Sequence, residues 1–133
     1  MLPSGPADYG YQNFLGIGYA FGGKSPDEKF DCSGLISECL KAYNLLPYNA
    51  LLNSQMLYDT LKDFGINSEI KKDSLLFFGR SVDEIDHVAI CMNEWQMLEA
   101  AGESRKPTLK GSVRVRPIAI RKNLVAVVRL DFH

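Results

Sequence analysis

Apolar residues recur along this chain with two different periods, and the period changes near Gly65. Before that point Leu35, Ile36, Cys39, Leu40 and Tyr43 fall at i, i+1, i+4, i+5 and i+8, the stripe of an amphipathic helix. Asp31 is placed to cap its N-terminus, and Asn44 to Pro47 to end it. A second helix is expected over about 52–63, with Ser54 as its cap, Met56, Leu57 and Leu61 turned inward, and Gly65 as its stop. Ahead of both, residues 1–12 are rich in Gly, Pro and Tyr and are expected to be irregular. Gly22-Gly23-Lys24-Ser25-Pro26-Asp27 is dense in turn formers and reads as a loop.

After Gly65 short apolar runs take over. Leu75 to Phe78, His87 to Met92 and Gln96 to Ala100 read as strands, and Val113 to Ile120 and Leu124 to Leu130 supply two or three more. Helices come first and strands follow with short connections. That order predicts an α+β domain, N-terminal helices packed on a five- or six-stranded antiparallel sheet. At 133 residues the chain is expected to form one domain spanning 1–133. There is no internal repeat or low-complexity tract.

Composition changes this picture little. Apolar residues make up 46% and charged residues 23%, and the net charge is −1, so overall charge selects no partner. The charge is unevenly spread: residues 105–133 hold eight of the fifteen Lys and Arg but only one acid, Asp131. Arg114 and Arg116 alternate with Val113 and Val115, as on a strand with one side in water. That reading is preferred to an anion or nucleic-acid surface, since basic and aromatic residues are not interleaved as a single-strand binder requires. No nucleic-acid partner and no membrane span are expected. The start of the chain lacks the basic and apolar regions of a secretory signal, so synthesis in the cytoplasm is expected. Three cysteines without C-x-x-C spacing suggest neither a disulfide framework nor a thiolate zinc site.

Chemistry concentrates at Cys32, in Phe30-Asp31-Cys32-Ser33-Gly34-Leu35, where the first helical stripe begins. A thiol at a helix N-terminus feels the positive end of the dipole, which favours the nucleophilic thiolate. Cys39, two turns on, and Cys91, in a strand pattern, read as small core residues. A cysteine hydrolase needs a base, and the chain has two histidines. His133 is the last residue, which leaves His87, at the start of a strand after Asp83-Glu84-Ile85-Asp86. A third group must orient the imidazole. Glu99, amid Met97, Leu98 and Ala100, is costly to bury unless paired; the pattern leaves it equally able to face solvent. Asp86 is the weaker competitor, because adjacent strand side chains point to opposite faces. The Cys32 amide can serve an oxyanion, and Tyr19, just before the Gly22-Gly23 turn, is a candidate second donor.

These pieces resemble the NlpC-type family of bacterial cell-wall cysteine peptidases, in the papain-like superfamily. Tyr19-Ala20-Phe21-Gly22-Gly23 with Asp31-Cys32-Ser33-Gly34 is similar to its Tyr-x-x-Gly-Gly and Asp-Cys-Ser-Gly signature. Asp73-Ser74-Leu75-Leu76-Phe77-Phe78 resembles its Gly-Asp-Leu-x-Phe-Phe strand, and His87-Val88-Ala89-Ile90 its His-Val-Gly-Ile strand. Met97 to Ala100 resembles the strand that bears the third catalytic residue. The match runs from about Tyr11 to Leu130. It implies a papain-like core with Cys32 as nucleophile, His87 as base and acid, Tyr19 in the oxyanion hole, and Asp31 and Ser33 lining the substrate pocket. It implies hydrolysis of amide bonds in peptidoglycan stem peptides, often between D-glutamate and a diamino acid, with no metal or cofactor. One departure stands out: the family's third residue is most often His, sometimes Asn or Gln, and here the place holds Glu99.

The domain also lacks the signal and wall-binding repeats of secreted members. That fits a phage or prophage protein, an effector moved by a contractile or lysis system, or one domain cut from a longer protein; a phage-tail or secretion-system partner, a monomeric state and action in the periplasm or cell wall are expected. Three other readings remain open on sequence. They are acyl transfer or deamidation of a protein target, a non-catalytic phage-tail or wall-binding module, and a metal site of Cys32, His87 and Glu99.

Overall fold

The computed structural model describes residues 4–18, 24–25, 29–65, 69–101 and 112–130. Among the described residues three helices, α1 (Pro6–Phe14), α2 (Cys32–Lys41) and α3 (Ser54–Leu61), accompany seven strands: β1 (Lys24–Ser25), β2 (Lys29–Phe30), β3 (Leu75–Gly79), β4 (Ile85–Cys91), β5 (Gln96–Ala101), β6 (Ser112–Pro117) and β7 (Leu124–Val128). Five strands form one antiparallel sheet in the order β6-β5-β4-β3-β7, and β1 pairs with β2 in a separate two-stranded ribbon. The helix-on-antiparallel-sheet architecture is the one the sequence order predicts.

One face of the sheet carries the larger core. Leu75, Phe77, Val88, Ile90, Leu98, Ala100, Val113 and Val128 meet Leu35, Ile36, Cys39 and Leu40 of α2 and Leu57, Tyr58 and Leu61 of α3. Leu76, Phe78, Ala89, Cys91, Met97 and Val127 form a smaller cluster apart from it. Burying both sets of side chains explains why β3 and β4 read as continuous apolar runs rather than alternating ones.

α2 begins where expected but ends at Lys41, so Tyr43 lies in the turn beyond it. The Asp31 carboxylate accepts the Gly34 N–H at 2.6 Å, and Asn44, at φ 59°, closes the turn after the helix. In α3 the cap is Asn53, whose side chain accepts the Met56 N–H at 2.8 Å, and Ser54 is instead a buried first-turn residue. Leu57 and Leu61 face inward as the stripe requires, but Met56 is not inward: it is 42% exposed, at the edge of the buried face.

The larger departure is α1, since residues 6–14 are helical where irregular chain is expected. Pro6 stands in the first turn, where a missing N–H costs nothing. The Ala7 N–H is taken at 2.8 Å by Asp73, sixty-six residues away. Gly10, a poor helix former, permits the packing: a Cβ there would stand 2.6 Å from the Cys39 sulfur and 2.7 Å from Leu98 Cδ2. Tertiary contact overrides propensity here. Beyond α1 the chain runs along the outer edge of the sheet, where Gly16 and Ile17 exchange backbone hydrogen bonds with Val113 of β6.

Candidate active site

Cys32 is the first residue of α2 and is partly buried against the main core. Asp31 fixes that helix start, and besides Gly34 it holds the Ser33 hydroxyl at 3.2 Å. Both Asp31 and Ser33 are buried, so they shape the ground on which the thiol stands. α2 packs against β4 and β5, the strands that carry His87 and Glu99.

His87 owes its setting to an irregularity in the sheet. Phe78 pairs with His87 but Gly79 pairs with Ile85, so one residue, the exposed Asp86, is extra on β4. Such a bulge re-aims the side chains beside it. Gly79 makes it possible, because a Cβ there would strike the Glu84 carbonyl. His87 itself is buried, with its ring 5.6 Å from that of Phe78.

Glu99 is fully buried and does not face solvent. Its Oε1 lies 2.6 Å from His87 Nε2 and accepts the Arg121 Nε–H at 2.9 Å. Its Oε2 has no hydrogen bond among the described residues, with Arg116 Nη1 at 3.6 Å as its ion partner. Arg114 stands directly across from it on β6. Burial pushes the Glu99 carboxyl upward. Its hydrogen bonds and charge interactions with His87 and Arg121 outweigh that, so its pKa is held below the ordinary carboxylate value. Nε2 is thus the imidazole nitrogen committed to Glu99.

The basic C-terminal segment therefore differs from the sequence reading. Arg114 and Arg116 are half-buried rather than a solvated strand face, and Arg121 joins Arg116 around a buried carboxylate. Arg121 was missed because nothing local marks it: it follows β6 by a short 3-10 turn, Ile118–Ile120, and only the fold returns it to β5. The lopsided charge of residues 105–133 was the available signal. Tyr19 lies outside the described residues, as does His133. Cys39 and Cys91 are both buried in apolar surroundings that push their thiols up, Cys91 to about 12, so neither competes as a nucleophile. Among the described residues no cluster of His, Cys, Asp and Glu could hold a metal ion, and no helix is long and apolar enough to cross a membrane.

A helix-start cysteine packed on an antiparallel sheet that carries a paired histidine and acid defines a papain-like α+β domain. The chain belongs to the NlpC/P60 family, whose model matches residues 16–119. It is 34% identical over 92 residues to the Probable endopeptidase YafL of Escherichia coli (strain K12), a match covering 65% of this chain and 34% of that protein. The fold is similar to that of an NlpC/P60 family protein from Bacillus cereus ATCC 10987, with TM-score 0.72 and 20% identity over 97% of this chain and 41% of that one. It is also similar to the NlpC/p60 domain of the peptidoglycan hydrolase SagA, with TM-score 0.71, 22% identity, and 96% and 97% of the two chains covered. The peptidoglycan hydrolase RipB of Mycobacterium tuberculosis gives TM-score 0.69 at 24% identity over 96% of this chain and 66% of that one. The chain thus spans about a third of the curated relative it matches.

Proposed function

We propose that this domain is a cysteine peptidase that hydrolyses amide bonds in peptidoglycan stem peptides, in the cell wall, through Cys32, His87 and Glu99. The carrying observation is the buried His87–Glu99 pair, 2.6 Å apart, on strands against which the helix begun by Cys32 is packed. Membership of the NlpC/P60 family and similarity to endopeptidases and peptidoglycan hydrolases support the substrate class.

The Cys32 thiolate attacks the carbonyl carbon and forms a C–S bond. The carbonyl electrons move onto oxygen, where the Cys32 amide and, by the motif resemblance, Tyr19 donate to the oxyanion. Collapse breaks the C–N bond, and His87 gives its proton to the departing amine. Water then attacks the thioester while His87 takes a proton, and the thiolate leaves. Glu99 holds the imbalance of charge that the imidazolium creates and fixes the ring by its Nε2.

Purified peptidoglycan incubated with the protein should release soluble peptide fragments, read by mass spectrometry. Cys32→Ala should lower that release more than about a thousandfold while its circular dichroism matches the parent. Release by Cys32→Ala at the parent rate would overturn the mechanism, and untouched peptidoglycan with the parent protein would overturn the substrate.

A further inference from the structure

A buried carboxylate opposite an imidazole raises a problem of balance. Alone, it would favour the charged ring so strongly that the ring would surrender its proton poorly to a leaving amine. The groups facing Glu99 bear on this. From β4 comes His87; from β6 come Arg114, directly opposite, and Arg116, 3.6 Å from Oε2. From the segment between β6 and β7 comes Arg121, while β3 presents the uncharged ring of Phe78, which lies under the Arg121 guanidinium at 5.6 Å. Cys32 and the capping Asp31 begin α2, which packs against β4, and Asp86 beside His87 in the chain is exposed. Arg121 donates its Nε–H to Glu99, at the same oxygen, Oε1, that His87 uses.

We propose that Arg121 is a positioning residue for the catalytic pair: it shares Oε1 of Glu99 with His87 and draws off part of the carboxylate charge, so that Glu99 orients the imidazole without locking it in the charged form. This rests on the peptidase reading of the site. The geometry suits the task, since a guanidinium keeps its charge at every working pH and holds a fixed donor direction. Its side chain is only 26% exposed, so solvent screens the pairing weakly.

The test needs no peptidoglycan. Iodoacetate, an anion, alkylates Cys32 fastest when thiolate and imidazolium stand together, so its rate traces a bell against pH, and the descending limb reports loss of the imidazolium. Arg121→Gln leaves the Glu99 charge undivided and removes a cation near the ring. Both changes favour the imidazolium, so the descending limb should move to higher pH, on the order of one unit. Arg121→Met, whose stem keeps the packing on Phe78, carries the same expectation and serves if the Gln variant does not fold. Arg121→Lys keeps the charge and should stay within a few tenths of a unit of the parent. Descending limbs in the Gln or Met variant that coincide with the parent's, whatever the absolute rates, would overturn the proposal. So would a Lys variant displaced as far as the Gln variant. Failure to cleave peptidoglycan with a displaced limb would instead refute the substrate reading and leave the role of Arg121 standing.

Discussion

Asp73 sits at φ 71°, a conformation that most side chains avoid and that Asp and Asn tolerate best. In the family motif that the following strand resembles, glycine stands at this place. Aspartate does what glycine cannot: its carboxylate packs over Gly5 and accepts the Ala7 N–H, capping α1 from across the fold. Burial raises the Asp73 carboxyl above its ordinary value. The native state therefore holds this proton to higher pH than the unfolded chain, and the ionised form costs stability as pH rises toward neutrality. The expected order of stability at pH 7 in urea denaturation is Asp73→Asn at or above the parent, then Asp73→Gly, then Asp73→Ala. Glycine loses only the cap. Alanine also strains the backbone, for a total of about 2 kcal/mol below the parent. Glycine ranking below alanine would show that the backbone conformation is not what the position demands.

At the scale of elements, the bulge between β3 and β4 sets His87 opposite Phe78 and leaves Asp86 extra. Gly79→Ala should push Glu84 away, shift the 80–85 turn and turn His87 off Glu99. Fragment release should fall at least tenfold, with a loss of roughly 1–3 kcal/mol in stability. Stability loss with release unchanged would detach the bulge from function. Nothing in the sequence marked this bulge, because Asp86-His87 reads equally well as unbroken strand. α2 was legible for physical reasons that are all local: a capping carboxylate, one apolar stripe and a turn-forming stop. The strands of the sheet were legible as apolar runs between turn formers. α1 was not, because its cap lies on another segment and its glycine is demanded by Cys39 and Leu98, not by the helix. Ser54 and Asn53 are both good caps one residue apart, so pattern alone could not choose between them.

Across the whole molecule the uneven charge acquires a meaning. The arginines of the C-terminal third do not merely solvate a strand: Arg116 and Arg121 are brought by the fold to the buried carboxylate of Glu99 on β5. The places of Cys32 at a helix start and of His87 within the first turn-side residues of a strand were legible because such boundaries are sequence-local, although β4 begins two residues earlier than expected, at Ile85. The orientation of Glu99 was not, because it is decided by residues 12 places before it and 22 after it. The central claim is that this assembly makes Cys32 a thiolate partnered by His87. Iodoacetamide alkylation at about pH 5.5, where an ordinary thiol is only about one part in a thousand ionised, tests it most directly. Cys39 and Cys91 are buried and stay silent. The expected result is rapid, stoichiometric labelling of Cys32 at that pH, lost on His87→Ala. A Cys32 that labels only as pH approaches about 8.5, at the same rate with and without His87, would contradict the account.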